Sequence, residues 1–333
     1  MKTDPTSLLQ ALITLLRRRF GNSATIENIT MPTLGGVNIT IVFDLVEGGS
    51  KRRMVSRHET VDQSDDIFLP SAQQFQILKC VYGNGLCVAE PLFDFDEKDQ
   101  IGKGYVSAFV SGESEPRTII GHHHFANLRP NLAAQCGRFL AQLHSLDAKE
   151  LSFLNSRSDS VDTVAAFRDR YDMFGEKRPA IELGLRWLDR HKPSAPARRL
   201  LHGDFRCGNF LVDTKQIQAV LDWECVHIGS PMEDIAWLCT RPWRFSRPDL
   251  AVGGFGERRD LYDAYQEVSG IQVNEEEVRY WEIFGLLRWA IYNIWQSWGH
   301  TTGKRRAVQY AACGRNTALV EYDLLMTLIG NYK

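Results

Sequence analysis

The most informative part of the chain is 202–213, which reads HGDFRCGNFLVD, followed closely by 217–224, which reads IQAVLDWE. Each part contains a short apolar run that predicts a β-strand. The four residues between these runs, Asp213–Gln216, are compatible with a turn. We therefore predict a β-hairpin whose turn is centred between Lys215 and Gln216.

The open end of this predicted hairpin carries oxygen donors. With that turn Asn209 lies opposite Asp222, and directly paired residues are roughly 4.5–5.5 Å apart. An amide oxygen and a carboxylate at that separation suit one magnesium ion. Asp204 lies on the loop that enters the hairpin, where it suits phosphoryl transfer as the carboxylate that orients a hydroxyl and accepts its proton. The alternative is that all three residues only shape turns and caps.

The same segment resembles the motif pair of the aminoglycoside phosphotransferase and choline kinase superfamily, the phosphotransferase enzyme family. The pattern is most similar to the branch fused to acyl-CoA dehydrogenases, H-G-D-F-R-x-G-N followed by V-L-D-W-E-x-x-x-x-G-x-P-x-x-D, and it is matched at 202–209 and 220–234. The resemblance implies an α+β, bilobal, protein-kinase-like fold. A small β-rich N-lobe would cover 1–112 and a larger, mainly helical C-lobe would cover 113–333.

The resemblance also implies roles for single residues in the C-lobe. Asp204 would be the catalytic base, and Asn209 and Asp222 would hold magnesium. Arg206 stands two residues after the base, where it would stabilise charge on the transferred phosphate. For Arg206 a structural salt bridge is the alternative.

A nucleotide site in the first third of the chain follows from the same resemblance, with ATP as the nucleotide and GTP as the alternative. The residues it implies are Gly35, Gly36 and Asn38 in a turn over the phosphates, Arg57 as the phosphate-binding cation, and Ala108, Phe109 and Val110 in the adenine-binding connector. Arg52 and Arg53 are rivals of Arg57. Gln74 stands where the family places a glutamate that pairs with this cation, and Glu59 is the alternative partner.

Acceptor binding is assigned to residues that follow the metal aspartate and to one long helix. The pattern over Val278–Trp298 predicts that helix, and its aromatic spacing is typical of core packing. The resemblance nevertheless places the acceptor cleft among helices of this lobe. The substrate candidates are therefore Trp223, Glu224, His227, Arg288 and Trp289.

Local patterns predict several further elements. They are strands over Val37–Phe43, Arg53–His58 and Tyr105–Val110, a helix over Ser71–Tyr82, an amphipathic helix near Leu132–Leu143, and a helix beginning at Pro231. Ser230 and Glu233 form a capping-box pattern at the start of the last helix. We expect Asp234, in its first turn, to brace the catalytic loop, and His144 to be a packing residue.

Composition excludes some classes of partner. The 333 residues suit two domains, and 39 Lys plus Arg against 41 Asp plus Glu leave a formal net charge of −2. This near-neutral balance argues against nucleic acid and anionic membrane surfaces as partners. It also favours a neutral or anionic, partly apolar hydroxyl compound over a polycation as the small-molecule acceptor.

The cysteine pattern bears on the compartment. The seven cysteines are scattered and contain no C-x-x-C, which indicates reduced thiols and a cytoplasmic location. No apolar run is long enough to cross a bilayer. The oligomeric state cannot be read from the sequence.

The main functional prediction is therefore an ATP-dependent small-molecule kinase. The alternative is a non-catalytic kinase-like nucleotide-binding module. It is favoured by two departures from the family pattern, at Val37 and Gln74. A metal-dependent hydrolase using the same carboxylates ranks last, because a second cluster of metal ligands is missing from the pattern.

Overall fold

The computed structural model of the chain describes residues 5–32, 38–59, 68–194, 197–304, 306 and 308–332. The chain forms two compact units. The first consists of Met1–Gly112 and Gln218–Cys225, and the second of Glu113–Ile217 and Val226–Lys333. The predicted α+β class is confirmed, because the first unit contains an antiparallel sheet and the second is mainly helical.

The first unit is built on a five-stranded antiparallel sheet in the order β1-β2-β3-β5-β4. Its elements are α1 (Pro5–Phe20), β1 (Thr25–Thr30), β2 (Ile39–Glu47), β3 (Ser50–His58), α2 (Ser71–Gly83), β4 (Pro91–Asp94) and β5 (Gly104–Ala108). Gly48 and Gly49 have φ of 56° and 81° between the paired residues Glu47 and Ser50. Positive φ at both central residues is the mark of a type I′ hairpin turn, which suits strand twist.

The core of this unit lies between α1 and the sheet. Leu8, Leu12 and Leu16 recur at helical spacing and are buried in one cluster with Ile41 and Phe43 of β2. This packing fixes the register of β2, and β2 in turn fixes β3, where Arg57 pairs with Thr40 on one side and with Tyr105 of β5 on the other.

The second unit is a helical layer around short strands. Its elements are α3 (Pro116–Gly121), α4 (Arg129–His144), α5 (Ser158–Met173), α6 (Pro179–Arg190), β6 (Arg199–Leu201), β7 (Phe210–Val212), β8 (Ile217–Val220, which passes into the first unit at Gln218), β9 (His227–Gly229), α7 (Pro231–Cys239), α8 (Arg258–Ser269), α9 (Glu275–Thr301) and α10 (Val308–Leu328). Helix α4 packs on α8, and α9 packs on α7 and α10. The antiparallel pair β6–β9 brings Leu201 opposite His227, at the start of the loop that bears Asp204.

None of the helices in the described ranges combines the length and the apolar character that crossing a bilayer requires.

Candidate active site

One buried carboxylate holds the loop that follows β6. Asp234, in the first turn of α7, accepts the backbone N–H of His202 at 2.7 Å and that of Gly203 at 2.8 Å. Its Oδ2 also lies 3.2 Å from Nε2 of His144. Burial raises the pKa of Asp234, but the hydrogen bonds and charge of His144 and His202 outweigh burial, and the pKa is lowered overall. The expected bracing role of Asp234 is confirmed by these contacts.

The carboxylate of Asp204 is held by donors from three side chains. Its Oδ1 accepts Nε1–H of Trp237 at 2.7 Å and Nε–H of Arg206 at 3.2 Å. Its Oδ2 accepts Nδ2–H of Asn209 at 2.6 Å, and the same amide also donates to the Asp204 carbonyl at 2.8 Å. The structure therefore brings together three of the residues singled out in the sequence, namely Asp204, Arg206 and Asn209.

Arg206 is engaged on two sides. It forms the ion pair with Asp204, and its guanidinium lies 4.6 Å from the ring centroid of Trp243. The salt bridge that was the alternative interpretation of Arg206 is therefore present. The action of Arg206 on the transferred phosphate stays a prediction.

The turn after β7 differs from the prediction. The Asp213 N–H donates to the Gln216 carbonyl at 3.0 Å, and Asp213 Oδ1 accepts the N–H groups of Lys215 at 2.7 Å and Gln216 at 2.8 Å. The turn is therefore centred between 214 and 215, one residue earlier than predicted. The pairing register inferred for Asn209 and Asp222 was wrong by two residues, because the Asp213 side chain sets the turn. Asp222 itself lies beyond the end of β8 and has a φ of 66°.

In the first unit, Arg57 is the centre of an ionic cluster. Its Nη2 donates to Oδ1 of Asp222 at 2.7 Å and to Oε2 of Glu224 at 2.8 Å. Asn38 lies beside this cluster, with its Nδ2 3.5 Å from Oε2 of Glu224, and rotating the amide by 180° would let its oxygen accept from Nε and Nη2 of Arg57 at 3.2 and 3.3 Å. Burial lowers the pKa of Arg57, but the nearby Asp222 and Glu224 carboxylates outweigh burial and raise it overall. The structure thus brings together Asn38, Arg57 and Asp222 with Glu224.

The partner expected for Arg57 was wrong. Gln74 is buried and its Nε2 donates to the Leu69 carbonyl at 2.6 Å. Glu59 instead accepts the backbone N–H of Ser71 at the start of α2. Glu224, which the sequence analysis assigned to the acceptor, is the partner. The sequence signal for this pairing was that Glu224 lies only two residues after Asp222. A side chain on the same short segment as Asp222 can reach the same guanidinium, that of Arg57.

The remaining candidates for nucleotide binding lie in the proposed phosphate turn and in the adenine-binding connector. Gly35 and Gly36 lie outside the described residues. The N–H of Ala108 donates to Glu90 O at 2.9 Å and that of Phe109 to Arg53 O at 3.1 Å. Because these two amides are already used, an adenine would have to use carbonyl groups or Val110 in this connector.

Two of the acceptor candidates meet on one buried carboxylate. His227 Nε2 lies 3.3 Å from Glu233 Oε2, and Arg288 Nη1 lies 3.6 Å from Glu233 Oε1. All three side chains are almost fully buried. The capping box predicted for Glu233 was therefore wrong. Its carboxylate is used inside the unit, and Ser230 alone caps α7 by accepting the Met232 N–H at 3.2 Å.

The two tryptophan candidates lie in different surroundings. Trp223 is 1% exposed and its Nε1 donates to the Val220 carbonyl at 3.1 Å. Trp289 is half-buried, with its ring 5.0 Å from that of Trp243. Neither contact tests an acceptor role, which stays a prediction for both residues.

Sequence reasoning missed Trp237. It lies one turn after Glu233 on α7, where a tryptophan has the pattern of an ordinary core residue. Its contact with Asp204 joins residues 33 positions apart, and nothing in the local sequence marks that contact.

Asn209 offers an oxygen donor of the kind that magnesium takes. Both amide hydrogens of Asn209 are directed at Asp204, so its amide oxygen faces away from that carboxylate. Asp222 belongs to the first unit, and its role as a magnesium ligand stays a prediction. Across the residues that the structure describes there is no cluster of three or more His, Cys, Asp or Glu suited to a metal. A site with one or two protein oxygens is what magnesium usually takes, with waters and phosphates as its other ligands.

Comparison with known proteins places this geometry in context. The chain is 28% identical over 185 residues to mouse acyl-CoA dehydrogenase family member 10, covering 51% of this chain and 17% of that protein. It is 29% identical over 206 residues to human acyl-CoA dehydrogenase family member 11, covering 58% of this chain and 26% of that protein. The chain thus spans only about a quarter or less of the length of these relatives.

Solved structures share the fold across the whole chain. A candidate aminoglycoside phosphotransferase from Ralstonia eutropha has a TM-score of 0.73 at 19% identity, covering 96% of this chain and 97% of that one. Ethanolamine kinase from Plasmodium vivax has a TM-score of 0.64 at 12% identity, covering 99% and 90%. These likenesses confirm the predicted kinase-like fold.

A family model decides the membership of the chain. The model described as the phosphotransferase enzyme family matches residues 45–271, which include Arg57, Asp204, Asn209 and Asp222. The chain therefore belongs to the phosphotransferase enzyme family.

Proposed function

We propose that this chain is an ATP-dependent phosphotransferase that moves the γ-phosphoryl group to a hydroxyl of a small molecule. The observation that carries the proposal is the Asp204 carboxylate, which is fixed by Trp237, Arg206 and Asn209 and remains 18% exposed. A positioned, accessible carboxylate is what orients and deprotonates an attacking hydroxyl. Family membership supports the reaction class.

The reaction assigns one task to each residue of the loop. Asp204 accepts the proton of the acceptor hydroxyl while the acceptor oxygen bonds to the γ-phosphorus and the bond to the β-phosphate oxygen breaks, releasing ADP. Arg206, already 3.2 Å from Asp204, contributes positive charge where negative charge develops.

Nucleotide binding is the proposed task of the first unit. Arg57 offers a guanidinium to the phosphates, and Asp222 and Glu224 hold its orientation through bonds of 2.7 and 2.8 Å. Asn38 and the glycines Gly35 and Gly36 are the proposed phosphate turn. Asn209 and Asp222 are the residues that would hold magnesium, which would supply charge neutralisation at the phosphate oxygens.

The acceptor is proposed to be a neutral or anionic hydroxyl compound. Arg206 lies against Asp204, and Arg288 lies 4.6 Å above the ring of Trp237, which bonds to Asp204. The positive charge of Arg206 and the aromatic rings beside the base favour such an acceptor over a polycation, whereas the charge of buried Arg288 is offset by Glu233. Offering a panel of hydroxylated metabolites with ATP or GTP, and detecting a mass gain of one phosphoryl group, tests this choice.

The alternative function, a non-catalytic nucleotide-binding module, loses part of its motivation. Gln74 is one of the two departures, with Val37, that motivate this alternative, yet Arg57 has a carboxylate partner in Glu224. Transfer of γ-phosphate to any panel acceptor would exclude the alternative.

The decisive experiment replaces Asp204 with asparagine. Turnover by D204N should fall by about 10²–10⁴-fold, as expected for loss of a general base, while magnesium-dependent ATP binding still raises the melting temperature. The matched control is D213N, because Asp213 is an exposed aspartate at the turn that follows β7. D213N should keep wild-type turnover. Wild-type-like turnover in D204N would refute the base assignment.

A second variant tests the nucleotide cation. R57Q should raise the KM for ATP by at least about tenfold, the equivalent of one charge-assisted hydrogen bond, because the phosphates lose their guanidinium. An unchanged KM would move the assignment to Arg52 or Arg53.

A further inference from the structure

We propose that Trp237 is a positioning residue for catalysis, which sets the rotation of the Asp204 carboxylate and thereby selects the oxygen that takes the proton. This inference rests on the proposed function, in which Asp204 is the base. The family motif is matched at 202–209 and 220–234 and therefore does not include Trp237. The proposal rests on the 2.7 Å hydrogen bond from Nε1–H of Trp237 to Oδ1 of Asp204.

Counting acceptor sites identifies the free oxygen. A carboxylate oxygen has about two lone-pair sites for hydrogen bonds. Oδ1 already accepts from Trp237 and Arg206, whereas Oδ2 accepts only from Asn209. The oxygen at the Oδ2 position therefore has one site left, and that site receives the acceptor hydroxyl.

The indole is held rigidly enough to act as a guide. Trp237 is 3% exposed, and the guanidinium of Arg288 lies 4.6 Å from its ring centroid. Arg288 is in turn paired with Glu233, one turn before Trp237 on α7. A cation over the indole face adds attraction, and burial removes the alternative rotamers.

Helix α9 makes room for this indole with a glycine. A Cβ added at Gly285 would lie 3.1 Å from Cε3 of Trp237 and 3.1 Å from Oγ1 of Thr240. A glycine in a helix interior costs about 1 kcal/mol relative to alanine, and here it lets α9 approach the ring. Three contacts therefore hold the Trp237 side chain. They are the close approach of α9 at Gly285, the guanidinium of Arg288 over the ring, and the hydrogen bond to Asp204.

A second tryptophan provides a matched contrast. Trp281, on α9, is 7% exposed, and its Nε1–H donates to Oε1 of Glu277 at 3.3 Å. Replacing either tryptophan with phenylalanine removes similar ring area and one indole bond to a carboxylate, but only the replacement of Trp237 removes a bond to Asp204.

The kinetic test compares W237F with W281F. W237F should lower kcat by about tenfold to a hundredfold, the range expected for one hydrogen bond to a charged group, with the KM for ATP within about threefold of wild type. W281F should change kcat by less than about threefold. Equal losses in the two variants, or a W237F effect confined to KM, would overturn the proposal, since a merely structural role predicts either result.

A spectroscopic test stands apart from turnover. The indole N–H signal of Trp237 in a ¹H–¹⁵N correlation spectrum is assigned by its absence from W237F. It should shift when D204N replaces the charged acceptor with a neutral one, and stay in place in D213N. A Trp237 indole N–H signal that keeps its wild-type position in D204N would overturn the proposal. If the wild type transfers phosphate to no acceptor, the proposed function fails, whereas this signal still decides whether Trp237 is bonded to Asp204.

Discussion

The buried histidine of β3 should make the folded state sensitive to mild acid. His58 is 2% exposed, and its Nε2 lies 2.9 Å from Ser56 Oγ. Its ring centroid lies 5.0 Å from that of Phe95, with the two ring planes tilted by 39°. Its buried Nδ1 has no hydrogen-bond partner among the described residues. Burial lowers the pKa of His58 from 6.5 to about 4, because the charged ring would lose its hydration.

The direction of the effect follows from the two protonation states. As pH falls, the unfolded chain binds a proton at His58 near pH 6.5, while the folded chain resists it until about pH 4. The contribution of neutral His58 to folding stability is therefore fully present above pH 6.5 and is lost as pH falls toward 4. At 1.36 kcal/mol per pH unit, the part lost between pH 7 and pH 5 is about 2 kcal/mol.

The assay is urea unfolding of wild type and H58Q at pH 7 and pH 5. Glutamine keeps a polar group toward Ser56 but does not titrate. The wild type should lose about 2 kcal/mol more than H58Q between the two pH values. The control is H122Q, which changes an exposed histidine and should keep the wild-type pH dependence. Equal losses in wild type and H58Q would refute the claim that buried neutral His58 governs this range.

Two further variants test how the sites are supported. D234N should destabilise the fold by about 3 kcal/mol or more, because it removes the charge that accepts from His202, Gly203 and His144, and its urea midpoint should fall accordingly; an unchanged midpoint would contradict this. G104A should lower the melting temperature and weaken ATP binding together, because the added Cβ would lie 2.1 Å from the Arg57 carbonyl and 2.5 Å from the Phe95 ring. A loss of ATP binding without a lower melting temperature would count against the strand-displacement explanation.

Local patterns predicted what depends on near neighbours. The loop around Asp204 and Asn209 was found because both residues lie within five positions of each other, and α4 and α9 follow from apolar spacing. The β2–β3 pair was predicted for the same reason, although β2 extends beyond the predicted end, to Glu47.

Contacts between distant positions were missed. Arg57 and Glu224 are 167 positions apart, and no periodicity links them. The turn after β7 was a different kind of error. Asp213 is a residue that often hydrogen-bonds to backbone amides two or three positions on, and it does so here. That short-range signal moved the turn by one residue and the strand register by two.

The discontinuity of the first unit limits how this protein can be divided. Gln218–Cys225 returns to that unit and carries both carboxylate partners of Arg57. It also supplies the Val220 N–H that bonds to the Cys87 carbonyl at 2.8 Å and the Glu224 carbonyl that accepts the Leu69 N–H at 2.8 Å. A fragment cut at 112 would leave a guanidinium and backbone groups without these partners. The first unit therefore cannot be exchanged as one continuous fragment, and recombination that preserves it must carry over a segment more than a hundred residues downstream.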